Sequence, residues 1–113
     1  MTVYVAHEQG HDMTSATQFG EIQILFDNRT PEGDRVPYVD PKEMVASMIA
    51  SMPAFTDDDY ILAVGDPLAI GAAVALAADM NEGRVKVLRF ERFSKRYEPY
   101  QLDLAADCYE AAP

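Results

Sequence analysis

A chain of 113 residues and 12.5 kDa holds one core of ordinary size, and with 49% apolar and 25% charged residues it can fill that core, which excludes two domains and wholesale disorder. The formal net charge of −10, from 9 basic and 19 acidic side chains, repels phosphate backbones unless the cations are gathered in one place. The uncharged, strongly apolar stretch 67–78 is shorter than the roughly 20 residues of a membrane span, the opening MTVYVAHEQ lacks the basic region and apolar run of a signal peptide, and the single Cys108 cannot close an internal disulfide, so the sequence reads as a soluble, reduced, cytoplasmic domain.

In chain order, Thr2 to Ala6 is β-branched and aromatic and predicts a first strand. After a connection rich in Gly, Ser, Thr and Asp, Glu21 to Phe26 alternates, with Ile22, Ile24 and Phe26 on one face, and predicts a second. Asn28 to Val39 has Pro31, Gly33 and Pro37 but no apolar period, which reads as a surface loop. Asp40-Pro41, with Glu43 following, is a helix start: Asp caps the free N–H groups and Pro fits the first turn. Met44, Val45, Met48, Ile49 and Met52 then share one helical face, a stripe that reads as core packing against a sheet, and Pro53 ends the helix.

Thr56 to Asp59 reads as a capped single turn, and Tyr60 to Gly65 as a strand buried on both faces. Asp66-Pro67 repeats the start signal for a helix from Pro67 to Met80, whose Ala, Gly71 and absence of charge before Asp79 predict close packing on a sheet. Asn81 and Gly83 end it, and Arg84 to Arg92 predicts the next strand, so 60–92 forms a right-handed βαβ unit with parallel strands. The chain turns back at 93–97, and Tyr100, Leu102 and Leu104 alternate in an antiparallel last strand. Pro99 places that strand at a sheet edge, because proline cannot donate to a ladder. The expected architecture is a single α/β domain over 1–104, a mixed five-stranded sheet with two main helices, followed by a flexible tail at 105–113.

The charges are segregated. Residues 84–96 hold six of the nine basic side chains (Arg84, Lys86, Arg89, Arg92, Lys95 and Arg96) against the single Glu91, while 1–83 carry three basic and fourteen acidic ones. The basic hairpin reads either as a solvated sheet face or as a docking surface, and for the second Arg89, Arg92, Lys95, Arg96 and Tyr97 are the candidate protein-binding residues. Its aromatics, Phe90, Phe93, Tyr97 and Tyr100, resemble superficially those of single-strand binders, but the acidic remainder of the chain ranks nucleic acid below a protein partner.

No motif fixes a reaction. His7-Glu8-Gln9-Gly10-His11 matches H-E-x-x-H, which binds zinc when two histidines four apart share a helix face. Here the match follows a strand and contains Gly10, so a turn is expected and no metal. Gly65-Asp66 lies where a strand meets a helix N-terminus, a place that holds anions, but no phosphate-loop motif accompanies it and Asp66 itself occupies the amides; the pair is the alternative ligand-binding candidate. Asp57-Asp58-Asp59 reads as a solvated cap, Cys108 has no helix start to lower its pKa, and no catalytic residue or cofactor is expected.

From Asp59 onward the run DYILAVGDPLAIGAAVALAADMNEGRVKVLRFERFSKRYEPYQLDL resembles a group of small proteins of unknown function encoded by tailed bacteriophages of marine bacteria. The shared features are a strand, a G-D-P-x-A-I-G helix start, an Ala-rich helix, a G-R turn and a Tyr-containing return strand. TVYVAHE and FGEIQILF are similar to that group as well. The resemblance implies phage origin, expression inside a bacterium and an accessory role, and it carries no activity over. In that group a plain turn follows the first strand, which gives His7, Glu8 and His11 no support as a metal site. The expectation is therefore a non-enzymatic accessory protein of the host-cell cytoplasm that binds a host or phage protein, with homo-oligomerisation through the edge strand open. A small-anion binder or enzyme at Gly65-Asp66 and an acidic mimic of nucleic acid are the alternatives.

Overall fold

Thr2–His7 forms strand β1 and Glu21–Phe26 strand β2, as their β-branched and alternating residues dictate. The computed structural model describes residues 1–7, 14–26, 32 and 40–105. Most of the expected 28–39 loop, the tail beyond Ala105 and Glu8 to His11 lie outside the described residues. Between β1 and β2 the connection is more structured than its composition suggests. Thr14–Phe19 winds into a 3-10 helix that buries Ala16 completely and is tightened by the Thr17 hydroxyl donating to the Thr14 carbonyl at 2.6 Å.

Helix α1, Pro41–Ser51, begins where Asp40 accepts the Lys42 N–H at 2.9 Å. Strand β3 is only Tyr60–Leu62, shorter than the run to Gly65 that its apolar residues suggest. Ala63 still donates to the Leu88 carbonyl at 2.9 Å, but the Val64 N–H turns back to Leu62 at 3.0 Å and Gly65, at φ 101°, redirects the chain into helix α2, Pro67–Met80. Gly83, at φ 85°, closes that helix by donating to the Ala78 carbonyl at 2.8 Å. Strands β4, Arg84–Glu91, and β5, Arg96–Asp103, complete the sheet. The hairpin turn is thus tighter than expected, with Arg96 and Tyr97 already in the ladder. It is closed by the Lys95 N–H on the Glu91 carbonyl at 2.7 Å.

The five strands lie in the order β2-β1-β3-β4-β5, the first four parallel and β5 antiparallel to β4. Leu104 donates to the Gly83 carbonyl at 2.7 Å, and ladder alternation then turns the nitrogen of Pro99 to the open edge, where a missing donor costs nothing. On one face Met44, Met48 and Met52 join Ala69, Ala73 and Ala77 of α2 over Tyr4, Leu25, Ile61 and Val85. On the other, Ala16 and Phe19 pack with Val3, Val5, Leu62, Leu88 and Tyr97.

The connection leaving β1 therefore runs over one face, and α1 and α2 over the other. Right-handed crossovers require this when the chain first moves one way across the sheet and then the other. Several packing expectations change with this arrangement. The alanines at 69, 73 and 77 make the close approach to the sheet, whereas a Cβ on Gly71 would find nothing within 4 Å. Ile49 is half exposed rather than part of the methionine stripe, and Tyr100, Leu102 and Leu104 are also half exposed, because the helices pack over β2, β1, β3 and β4. Ile22 and Ile24 join the second core, but Phe26, expected on their face, packs with Leu25 in the helix-side core.

Asp66 caps α2 by accepting the Ala69 N–H at 3.2 Å. Asp66→Asn should be nearly neutral and Asp66→Ala should lose about 1 kcal/mol in chemical denaturation. Equal stability of Asp66→Ala and wild type would remove the cap from the account.

Candidate functional site

The six cations gathered on β4, the turn and β5 are mostly neutralised by neighbours. Arg84 reaches Asp57 at 3.2 Å and Glu82 at 3.5 Å, Lys86 lies 4.4 Å over the Tyr60 ring, and Arg96 holds Glu98 at 2.9 Å. Arg89 pairs with Glu91 at 3.0 Å and sits 4.6 Å over the Tyr100 ring. Glu91 also accepts the Tyr100 hydroxyl; that bond first, and Arg89 second, hold its carboxyl below the usual range, and the same bond pushes the Tyr100 hydroxyl up. Among the described residues only Arg92 and Lys95 of the six have neither a carboxylate nor a ring against them.

These two flank Phe93, whose side chain stands entirely in solvent at 103% relative exposure. Several large apolar side chains of this domain are partly exposed, but among the described residues Phe93 is the most exposed of them, well beyond Leu68 at 61%. Tyr97 behaves in the opposite way: it is 4% exposed and packs edge-on against Phe90, with centroids 5.4 Å apart. Of the five residues assigned to a docking surface from sequence, Arg92 and Lys95 are therefore at the open tip, Arg89 and Arg96 are tied into the sheet surface, and Tyr97 is in the core. Phe93, counted from sequence among the hairpin's aromatics but not among those five residues, stands at the same tip. Its signal was an aromatic between two cations at the point of tightest reversal.

Behind the tip a cleft of about 740 Å³ opens at the carboxyl edge of the parallel strands. It is lined by Thr14 and Ser15 of the 3-10 helix, by Val64 and Gly65 after β3, and by Phe90, Lys95 and Tyr97 of the hairpin. Gly65, one of the two residues of the alternative ligand site, lines this cleft. Asp66 directs its carboxylate onto the Ala69 amide. Two candidate regions that are separate in the sequence, the Gly65 turn and the hairpin cations, meet here through Lys95. The hydroxyls of Thr14 and Ser15 had no sequence signal, since only the sheet order brings them to the hairpin.

Elsewhere the acidic triplet divides by environment. Asp57 accepts from Asn81 and Arg84, which hold its carboxyl below the usual range, and Asp58 is exposed. Asp59 is buried rather than solvated, accepting the Thr2 N–H at 3.0 Å and, through its other oxygen, the Thr56 N–H at 2.9 Å and hydroxyl at 3.1 Å. Among the described residues no three His, Cys, Asp or Glu side chains converge on one point, and Glu8, His11 and Cys108 lie outside those residues. No described helix is long and apolar enough to cross a membrane.

These features define a doubly wound α/β domain closed on one side by an antiparallel hairpin, with an open aromatic tip and a cleft at the carboxyl edge of its sheet. The chain belongs to the Phage Pam3 gp32-like protein family, whose model matches residues 1–104. The phage resemblance read from the G-D-P-L-A-I-G helix start and the return strand thus agrees with the family. No curated protein and no solved structure matches the chain.

Proposed function

We propose that this phage protein is a non-enzymatic accessory protein that docks, through the tip of its β4–β5 hairpin, onto an acidic surface of a host or phage protein. The observation that carries the reading is Phe93, fully exposed between Arg92 and Lys95, neither of which has an ion-pair partner among the described residues. An aromatic anchor with cations at its rim matches the composition of binding hot spots, in which a buried ring supplies affinity and the surrounding charge supplies steering. The paired Arg89 and Arg96 contribute less, because each already satisfies a carboxylate of its own strand. The acidic remainder of the chain repels extended polyanions such as nucleic acid, so attraction to an acidic surface is confined to the cationic tip.

The experiment is affinity capture from lysate of infected host cells, comparing the wild type with the double change Arg92→Glu, Lys95→Glu. Both side chains are exposed, so the melting temperature should move by no more than a few degrees. Capture of the partner should be lost, and wild-type capture should weaken as salt rises. With the partner in hand, Phe93→Ala should weaken binding by about 30-fold, the equivalent of the ~2 kcal/mol that marks a hot spot. Undiminished capture by the folded double variant would remove the tip from the interface. Tight, salt-dependent binding to random DNA or RNA would replace the protein partner with a nucleic acid.

A further inference from the structure

We propose that the cleft behind the hairpin, which shares Lys95 with the docking tip, binds a small aromatic anion of nucleoside-monophosphate size. Its walls differ in chemistry. Phe90 is 46% exposed even though Tyr97 supports it edge-on, so ring surface remains open to a flat partner. Val64 extends this apolar side. The same cleft is lined by Ser15, which carries a hydroxyl, and Lys95, which carries an ammonium, and neither side chain has a hydrogen-bond or ion-pair partner among the described residues.

Gly65, at φ 101°, adopts a backbone conformation that side-chain-bearing residues rarely enter, and it lines the cleft without a side chain. No carboxylate lines the cleft among the described residues. Position points the same way. The connections leaving β1 and β3 pass to opposite faces of the sheet, and open α/β sheets hold their ligands outside the carboxyl ends of the strands at such a switch point. A volume of about 740 Å³ lies within the range of small-molecule sites. One ammonium within a chain of net charge −10 selects a single phosphate or carboxylate over a polyphosphate.

Titration calorimetry of the intact chain with adenosine 5′-monophosphate and uridine 5′-monophosphate, beside adenosine and inorganic phosphate alone, tests this. Saturable binding of at least one mononucleotide is expected, with each half-ligand weaker by about tenfold or more, the loss of one charge-assisted contact or one stacked ring. Phe90→Ala and the surface change Lys95→Gln should each weaken the mononucleotide by about tenfold. Phe93→Ala, outside the cleft, should bind as the wild type does. No saturable binding of either mononucleotide, phosphate bound as tightly as the mononucleotide, or binding unchanged in folded Lys95→Gln would each overturn the proposal. Phe90→Ala and Phe93→Ala keep the two readings apart, since Phe90 lines the cleft and Phe93, the docking anchor, does not.

Discussion

Asp59→Ala is expected to cost about 3 kcal/mol of stability, a large part of the ~5–15 kcal/mol that holds a domain of this size together. The carboxylate is 8% exposed and joins two distant parts of the chain: one oxygen takes the first N–H of β1, at Thr2, and the other takes the N–H and hydroxyl of Thr56. Truncation leaves two backbone donors without their acceptor in a partly buried place, each worth up to about 1–3 kcal/mol when orphaned. Asp59→Asn retains one acceptor oxygen but sets an amide N–H against a donor, so it should fall between alanine and wild type. Urea unfolding followed by circular dichroism reads this directly, provided the slope with denaturant is unchanged. A loss below about 1 kcal/mol for Asp59→Ala would mean that the clamp between β1 and the 56–59 turn is not a stabilising feature.

The second large effect separates two neighbours on α1. Met48 is fully buried between α2 and the sheet, and Met48→Ala should cost about 2–5 kcal/mol through lost transfer energy and the cavity left behind. Ile49 is 49% exposed, and Ile49→Ala should cost less than about 1 kcal/mol, since part of its lost contact is offset by the better helix propensity of alanine. Thermal or chemical denaturation of the pair gives the orientation of the helix. A larger loss at Ile49 than at Met48 would mean that α1 is rotated on the sheet.

That pair also shows what the sequence could convey. Helical spacing brought Met44, Met48 and Met52 to one face correctly, but a stripe broad enough to include Ile49 requires a cover on both sides, and α2 lies on only one. Local signals were the legible ones. Two Asp-Pro starts placed both helices, the alternation in Glu21–Phe26 placed β2, and Pro99 placed an edge, because each depends on contacts within a few residues. The 3-10 helix was hidden because polar residues at 14–19 read as a connection, and only the buried Ala16 links them to the core. Strand β3 was over-extended because an apolar run does not say where pairing ends; Gly65 and the Val64 turn do.

The candidate site divides in the same way. That cations gather at 84–96 was plain, and two of their partners were readable too: Arg89 with Glu91 and Arg96 with Glu98 are two apart, hence on one face of a strand. Arg84 meeting Asp57, and Ser15 lining the same cleft as Lys95, depend on sheet order and could not be read along the chain.

The docking claim is tested most directly by placing a photoreactive phenylalanine analogue at position 93 in the protein expressed during infection, with the same analogue at Ala75 on the outer surface of α2 as the control. Illumination should yield one defined protein adduct from position 93 and none from position 75, and the adduct should disappear when Arg92→Glu and Lys95→Glu are added. The absence of an adduct at 93, or the same adducts from both positions, would contradict docking through the hairpin tip.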